Sequence, residues 1–190
     1  MSVIAVAVAV ALMLQVGPPD AAMVPGPLTA ADIQRGQSEL AEVNAVLDAM
    51  HAAAARADGA AYFAAFAPFA RFIGTDAGEH WSLDEFRAYA EPIFARGKGW
   101  TYRPHDRTVM SVGAVFFFDE KLSNDSYGEM RGSGVLTRDS AGDLKIDQYV
   151  LSFTVPNDAA EAVVRTIAEQ QAAVGTTRDP GTDADPAKRD

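Results

Sequence analysis

The spacing of apolar residues divides the chain into a helical first part and an extended second part. Apolar residues recur at spacings of three and four at Leu40, Val43, Leu47, Met50 and Ala54. This period predicts an amphipathic helix that begins near Thr29 and ends at Gly59. A second, short helix is predicted over residues 60–66, and a third begins at a capping box formed by Ser82 and Glu85.

From Trp100 onward the apolar period is that of extended chain. It predicts four strands, over residues 100–109, 112–122, 127–137 and 144–155. The short turn signals between them predict antiparallel neighbours. A hairpin is predicted at residues 72–81, ahead of the third helix, and a last helix runs to about Val174. This order indicates an α+β fold in which N-terminal helices cover one face of a curved antiparallel sheet.

The two ends of the chain have a different character. Val3–Leu14 is an apolar run, too short to span a bilayer but typical of the central region of a secretory signal. We therefore expect residues 1–27 to be a signal peptide and linker, the folded domain to cover 28–174, and the protein to be exported, periplasmic or secreted. The alternative is an uncleaved N-terminal segment and a cytoplasmic protein. The polar composition of residues 175–190 predicts a disordered tail.

Length, cysteine content and net charge limit the number of domains, the kinds of site and the partners that this protein can have. A chain of 190 residues suits one domain. The absence of cysteine excludes disulfides, thiolate metal sites and thiol nucleophiles. A net charge of -10 argues against nucleic acid and against an anionic membrane surface as partners. We expect no membrane span.

Seven short segments occur together in a fixed order. They are AAARADGAAYF (53–63), GTDAGEHW (74–81), LDEFRAYA (83–90), GKGWTY (97–102), FFDEKL (117–122), RGSGVL (131–136) and QYVLSFTVPND (148–158). On these segments the chain resembles the SnoaL-like branch of the NTF2-like superfamily. The resemblance implies a cone-shaped α+β barrel, usually dimeric, with a pocket between sheet and helices. The superfamily includes isomerases, cyclases, dehydratases, hydrolases and plain binding or assembly modules, so fold alone does not imply function.

The resemblance also suggests catalytic candidates. Ketosteroid-isomerase-like relatives use an Asp base at the end of the first strand, with a Tyr on the first helix and an acid on a later strand as donors. Here Asp76 lies near the position of the base, and His51 stands at that of the Tyr. The later strand offers residues 116–118 and no acid. His80 is a third catalytic candidate, and for Asp76 the alternative is a turn in which its side chain bonds its own backbone.

Polar-tipped and aromatic residues are the candidates for ligand binding, since such residues line otherwise apolar pockets. They are Trp81, Trp100, Tyr102, Phe117, Arg131 and Gln148. Trp81 could instead pack under the third helix, the strand residues could pack on the convex face, and Arg131 could pair with Asp119 or Glu120. His51, His80 and His105 have no metal-ligand spacing, so we expect no metal site.

The sequence supports three functions from different classes. The leading one is a domain that binds an apolar small molecule in the cone pocket and forms a homodimer through the convex sheet face. One alternative is a cofactor-free isomerase or cyclase acting by general acid–base chemistry. The other is a dimeric assembly domain whose pocket is filled by its own side chains. No nucleotide-binding or serine-hydrolase motif is present, and we expect no cofactor.

Overall fold

The computed structural model describes residues 29–177, with side chains to residue 173. These residues fall in two compact units that divide between Gln37 and Ser38. In the first unit the helix start is capped reciprocally: Thr29 N donates to Asp32 Oδ2 over 3.0 Å, and Asp32 N donates to Thr29 Oγ1 over 3.2 Å. The expected signal peptide lies outside the described residues, and export stays a prediction.

Four helices and six strands make up the described chain. The helices are α1 (Ala30–Ala55), α2 (Gly59–Ala64), α3 (Leu83–Ala95) and α4 (Ala160–Thr177), the last preceded by a 3-10 turn at Asn157–Ala159. The strands are β1 (Phe66–Ile73), β2 (His80–Ser82), β3 (Arg103–Val112), β4 (Val115–Asn124), β5 (Gly128–Arg138) and β6 (Leu144–Phe153). This order confirms the predicted α+β class. Among the described residues, none of the helices has the length and the apolar composition that a membrane span requires.

The strands form one curved, unclosed sheet in the order β2-β1-β6-β5-β4-β3. The β3–β6 meander is antiparallel, as its short turns predict. β1 pairs with β6 in parallel. No local signal predicts that pairing, because the two strands are joined through a helix and the whole meander.

Boundaries near α1 and β1 differ from the sequence prediction. α1 ends at Ala55, and Ala57 takes the left-handed conformation, with φ of 55°. Asp58 is instead the N-cap of α2, since its Oδ1 accepts a hydrogen bond from Ala61 N over 3.0 Å. β1 begins at Phe66 although Pro68 follows, because its register against β6 shifts there and a bulge tolerates a residue without an N–H.

The inner face of the sheet carries the core. Along β4 the buried residues are Phe116, Phe118, Glu120 and Leu122, at every second position, as expected for a strand with one buried face. Val43, Leu47 and Met50 of α1 belong to the same core cluster. Glu120 is therefore a charged residue on an otherwise apolar face, and burying a charge is costly unless it is paired.

Candidate functional site

A cavity of about 200 Å³ lies between the inner face of the sheet and α1, α2 and α3. Ten aromatic side chains line it: Tyr62, Phe72, Trp81, Phe86, Tyr89, Trp100, Tyr102, Tyr127, Tyr149 and Phe153. The other lining residues include His51, Thr75 and Glu79, which are polar. A mostly aromatic wall with a few polar groups is typical of small-molecule sites.

Glu120 lies behind this wall and organises its polar end. Its side chain is 0% exposed. Its Oε1 is 2.7 Å from His51 Nε2 and accepts a hydrogen bond from the Tyr149 hydroxyl over 3.0 Å. Both partners line the cavity, so the buried carboxylate fixes the position of two groups that a ligand would meet.

Arg107 neutralises the same carboxylate from the other side. Its Nε donates to Glu120 Oε2 over 2.8 Å. Its Nη2 is in ion-pair contact, at 2.7 Å from Glu120 Oε2 and 2.8 Å from Asp48 Oδ1, and Nη1 donates to Asn44 Oδ1 over 3.0 Å. Nη2 itself is buried and forms no hydrogen bond with the described residues, so ion-pair contacts alone hold it. Each buried charge still has a partner of opposite sign, without which a buried ion is strongly destabilising.

The local structure of two elements builds this cluster. Asn44, Asp48 and His51 are spaced by four and three residues on α1, so they share one face of the helix. On β3 the register against β4 shifts between His105 and Thr108. Such a bulge re-aims a side chain, and here Arg107 reaches the buried face of β4.

Burial and neighbouring charges shift the pKa values of Glu120 and Tyr149. Burial alone would raise the pKa of Glu120, but the hydrogen bond and charge of His51 and the charge of Arg107 outweigh it, so the pKa lies below its usual value. Burial, and then the charge of Glu120, raise the pKa of Tyr149 well above its usual value. Glu120 is ionised at neutral pH and can only accept, so the proton in the 2.7 Å contact lies on His51 Nε2.

In the singly protonated form of His51, with Nε2 as the donor to Glu120, the Nδ1 lone pair is available as an acceptor. No hydrogen bond to Nδ1 is formed by the residues that the structure describes. Since His51 lines the cavity, Nδ1 can accept a hydrogen bond, or a proton, from a bound molecule.

A second glutamate, Glu79, lines the cavity where its wall is more exposed. Glu79 lies in the loop between β1 and β2, where Gly74 N donates to Glu79 O over 2.8 Å and Asp76 N donates to Glu79 Oε2 over 3.2 Å. Tyr89 and Tyr127 are about half-exposed in this part of the wall. Partial burial, followed by the nearby Tyr127, Glu79 and Tyr89, raises the pKa of Tyr102 to about 12.

The structure brings four of the nine candidate residues to the cavity: His51, Trp81, Trp100 and Tyr102. Asp76 lies in the exposed turn before β2, where its Oδ1 accepts from Gly78 N over 2.8 Å. His80 is exposed, with its Nδ1 3.4 Å from Arg71 Nη1. Neither is among the residues that line the cavity, and their catalytic roles stay predictions.

The other three candidates lie on the outer face of the sheet. Phe117 pairs with Val135, which pairs in turn with Gln148, and Arg131 is opposite Lys121. These positions alternate along their strands with residues of the buried face, and directly paired residues share a face. None of the three is among the residues that line this cavity, and their ligand contacts stay predictions.

Sequence reasoning missed Glu120, Arg107 and Tyr149 as parts of one site. One signal was present: Glu120 continues the alternation of Phe116 and Phe118 onto the apolar face of its strand, which demands a buried partner. The strand therefore does carry an acid, Glu120, two positions beyond residues 116–118. Among the described residues, no cluster of three or more His, Asp and Glu side chains could hold a metal ion.

Comparison with known structures supports the fold. A candidate dehydratase of the NTF2-like family from Streptomyces avermitilis is 14% identical, covering 63% of this chain and 99% of its own, with a TM-score of 0.55. An NTF2-like protein of unknown function from Pseudomonas putida is 12% identical, covering 65% and 92%, with a TM-score of 0.54. A cystatin-like fold protein from Burkholderia xenovorans is 20% identical, covering 63% and 95%, with a TM-score of 0.53. Identities this low establish the fold alone.

The sequence itself places the chain in a family. No curated protein matches it significantly. The family model described as "SnoaL-like domain" matches residues 43–156. That range contains α1 from Val43 onward, the complete sheet and every residue that lines the cavity. The chain therefore belongs to the SnoaL-like domain family and has the NTF2-like α+β fold.

Proposed function

We propose that this protein binds a small, planar, largely apolar molecule in the cavity, with a polar group of that molecule at His51. The observation that supports this best is a cavity of about 200 Å³ with ten aromatic lining residues. An engineered apolar cavity of about 150 Å³ binds benzene, so one or two rings fit here. An assembly domain filled by its own side chains would not need this space.

Both tryptophans of the chain, Trp81 and Trp100, line the cavity, so their fluorescence reports on its occupancy. We expect saturable quenching when 4-ethylphenol, a neutral single-ring probe with one hydroxyl donor, is titrated into the full chain. Phe153→Ala, at the cavity, should weaken binding several-fold by removing apolar contact. Phe69→Ala is the matched control, because Phe69 is 95% exposed and away from the cavity. Absence of saturable binding up to millimolar probe would refute the proposal.

A second candidate function is cofactor-free acid–base catalysis in the same cavity, of the isomerase or cyclase type. The observation that favours it is the 2.7 Å contact between His51 and the buried, ionised Glu120. An imidazole that donates from one nitrogen to a carboxylate can, in its singly protonated form, take a proton from a bound carbon acid at the other nitrogen. In this arrangement Tyr149 is a positioning residue, because its hydroxyl donates to Glu120.

Proton abstraction can be tested without knowing the substrate. We expect the protein to accelerate deuterium exchange at the acidic carbon of 2-tetralone, a two-ring ketone, when the reaction is followed by NMR in heavy water. His51→Gln should remove the acceleration, whereas His105→Gln, which alters a half-exposed histidine on β3, should not. Exchange at the background rate with the unaltered protein would count against this second function.

We further propose that the protein is a homodimer that pairs through the outer face of the sheet. That face exposes Met110, Val112 and Val115 at the edge formed by β3 and β4. Val112 pairs with Val115, and Met110 pairs with Phe117, so these apolar side chains form one patch. Contiguous exposed apolar patches mark interaction surfaces, and the resemblance to a superfamily whose members are usually dimeric favours a second copy as the partner.

A further inference from the structure

The cavity has a polarity that would discriminate between ligands by charge. At the buried end of the cavity, the guanidinium of Arg107 already contacts Glu120, Asp48 and Asn44. Arg107 is also not among the residues that line the cavity. No lysine or arginine is among the lining residues. A ligand carboxylate would therefore find no cation in this wall, while the hydroxyl or N–H of a ligand can donate to His51 Nδ1.

The exposed end carries an uncompensated negative charge. Glu79 lines the cavity and is half-buried. Its Oε2 accepts one backbone hydrogen bond, from Asp76 N. Among the residues that the structure describes, no Lys, Arg or His lies within ion-pair distance of it. The side chain is packed over Gly74, where a Cβ would collide with it, so the carboxylate is held at the cavity rather than free to turn away.

Aromatic residues surround this end of the cavity. Trp81 and Tyr89 stack with ring centroids 5.1 Å apart, and Tyr127 contacts Phe153 edge-on at 5.7 Å. Trp81, Tyr89, Tyr102 and Tyr127 line the same cavity as Glu79, and the raised pKa of Tyr102, to which Glu79 contributes, agrees with their proximity. Aromatic rings beside a carboxylate are the chemistry by which proteins bind ammonium groups, and the net charge of -10 would steer a cation toward the molecule.

We propose that the cavity selects aromatic molecules that carry a protonated amine on a short chain, with Glu79 and the aromatic residues beside it as the ammonium subsite. This inference rests on the proposed binding function. The ring and any hydroxyl group occupy the inner cavity near His51, and the ammonium group pairs with Glu79 at the exposed end. The corresponding carboxylic acids are disfavoured because their charge meets that of Glu79.

Three phenols that differ in the tail alone provide the test. They are 4-ethylphenol, which is neutral, tyramine, which is cationic, and 3-(4-hydroxyphenyl)propionate, which is anionic. Titrated into the full chain and followed by tryptophan fluorescence and calorimetry, tyramine should bind about tenfold more tightly than 4-ethylphenol. The propionate should bind more weakly than either, and added salt should reduce both differences.

Glu79→Gln removes the charge and keeps the shape, so the preference for tyramine over 4-ethylphenol should fall to about one. Glu169→Gln, on exposed α4, changes the net charge equally and should leave the preference intact. If 4-ethylphenol binds and tyramine binds no tighter, or the preference survives Glu79→Gln, the ammonium subsite is refuted and the cavity remains a ligand site. If none of the three binds, the proposed function itself fails.

Discussion

At the scale of single residues, Glu120 determines the chemistry of the site because it is a full charge where water has no access. Arg107, His51 and Tyr149 all direct N–H or O–H groups at it. The intact cluster adds little to the free energy of unfolding. Removing one partner lowers that free energy strongly, because it leaves a buried charge uncompensated. Substitutions of the partners should therefore be costly even though the ion pairs themselves contribute little net stability.

Arg107→Met should lower the free energy of unfolding by about 3–5 kcal/mol, since it leaves Glu120 without its guanidinium. Arg131→Met is the matched control: Arg131 is exposed on the outer face, and its replacement should cost less than about 0.5 kcal/mol. Urea denaturation of both variants provides the comparison. Equal effects of the two substitutions would mean that Glu120 does not depend on Arg107.

The lowered pKa of Glu120 also predicts how stability depends on pH. A carboxyl group with a lower pKa in the folded state stabilises that state above the unfolded value, here the usual 4.5, and loses this effect as pH falls through the folded pKa. Glu120→Gln mimics the protonated form. The urea midpoints of wild type and this variant should therefore differ at pH 7 and converge as pH falls below about 4.5. A difference independent of pH would contradict the linkage.

At the scale of elements, irregular positions place the functional groups. The β3 bulge turns Arg107 inward, and the spacing of α1 aligns Asp48 with His51. On β5, Gly132 leaves the room that this cluster occupies: a Cβ there would collide with the Tyr149 hydroxyl and lie 3.0 Å from Glu120 Oε1. A glycine inside a strand is typical of such a close approach.

Gly132→Ala should therefore displace the cluster and destabilise the protein by about 1–3 kcal/mol, the usual cost of overpacking. Gly36→Ala is a control of opposite sign. Gly36 lies inside α1, where a Cβ meets no described atom within 4 Å, and alanine there should stabilise the helix by roughly 0.5–1 kcal/mol. Thermal denaturation separates the two results. A neutral Gly132→Ala would show that the cluster has more room than its geometry indicates.

At the scale of the whole molecule, the outer face of the sheet is the surface from which we expect dimerisation. Val112→Lys places a charge in the exposed apolar patch. It should convert a dimer to a monomer of 20.2 kDa for the full chain in light scattering after size exclusion. Val164→Lys on α4 is the control, because Val164 is similarly exposed, at 66% against 70% for Val112. Dissociation by Val164→Lys alone would place the interface on α4 instead.

Local patterns in the sequence determined the helices, the antiparallel meander and the α+β class, because helical and extended periods and turn residues act over a few positions. The family followed from seven short segments in order. Tertiary structure alone decided which strand faces line the cavity, because register depends on bulges, as at Arg107 on β3. It likewise decided that β1 joins β6 and that Glu120 meets His51 across 69 residues. The local spacing of apolar and polar residues does not specify which distant segments come into contact.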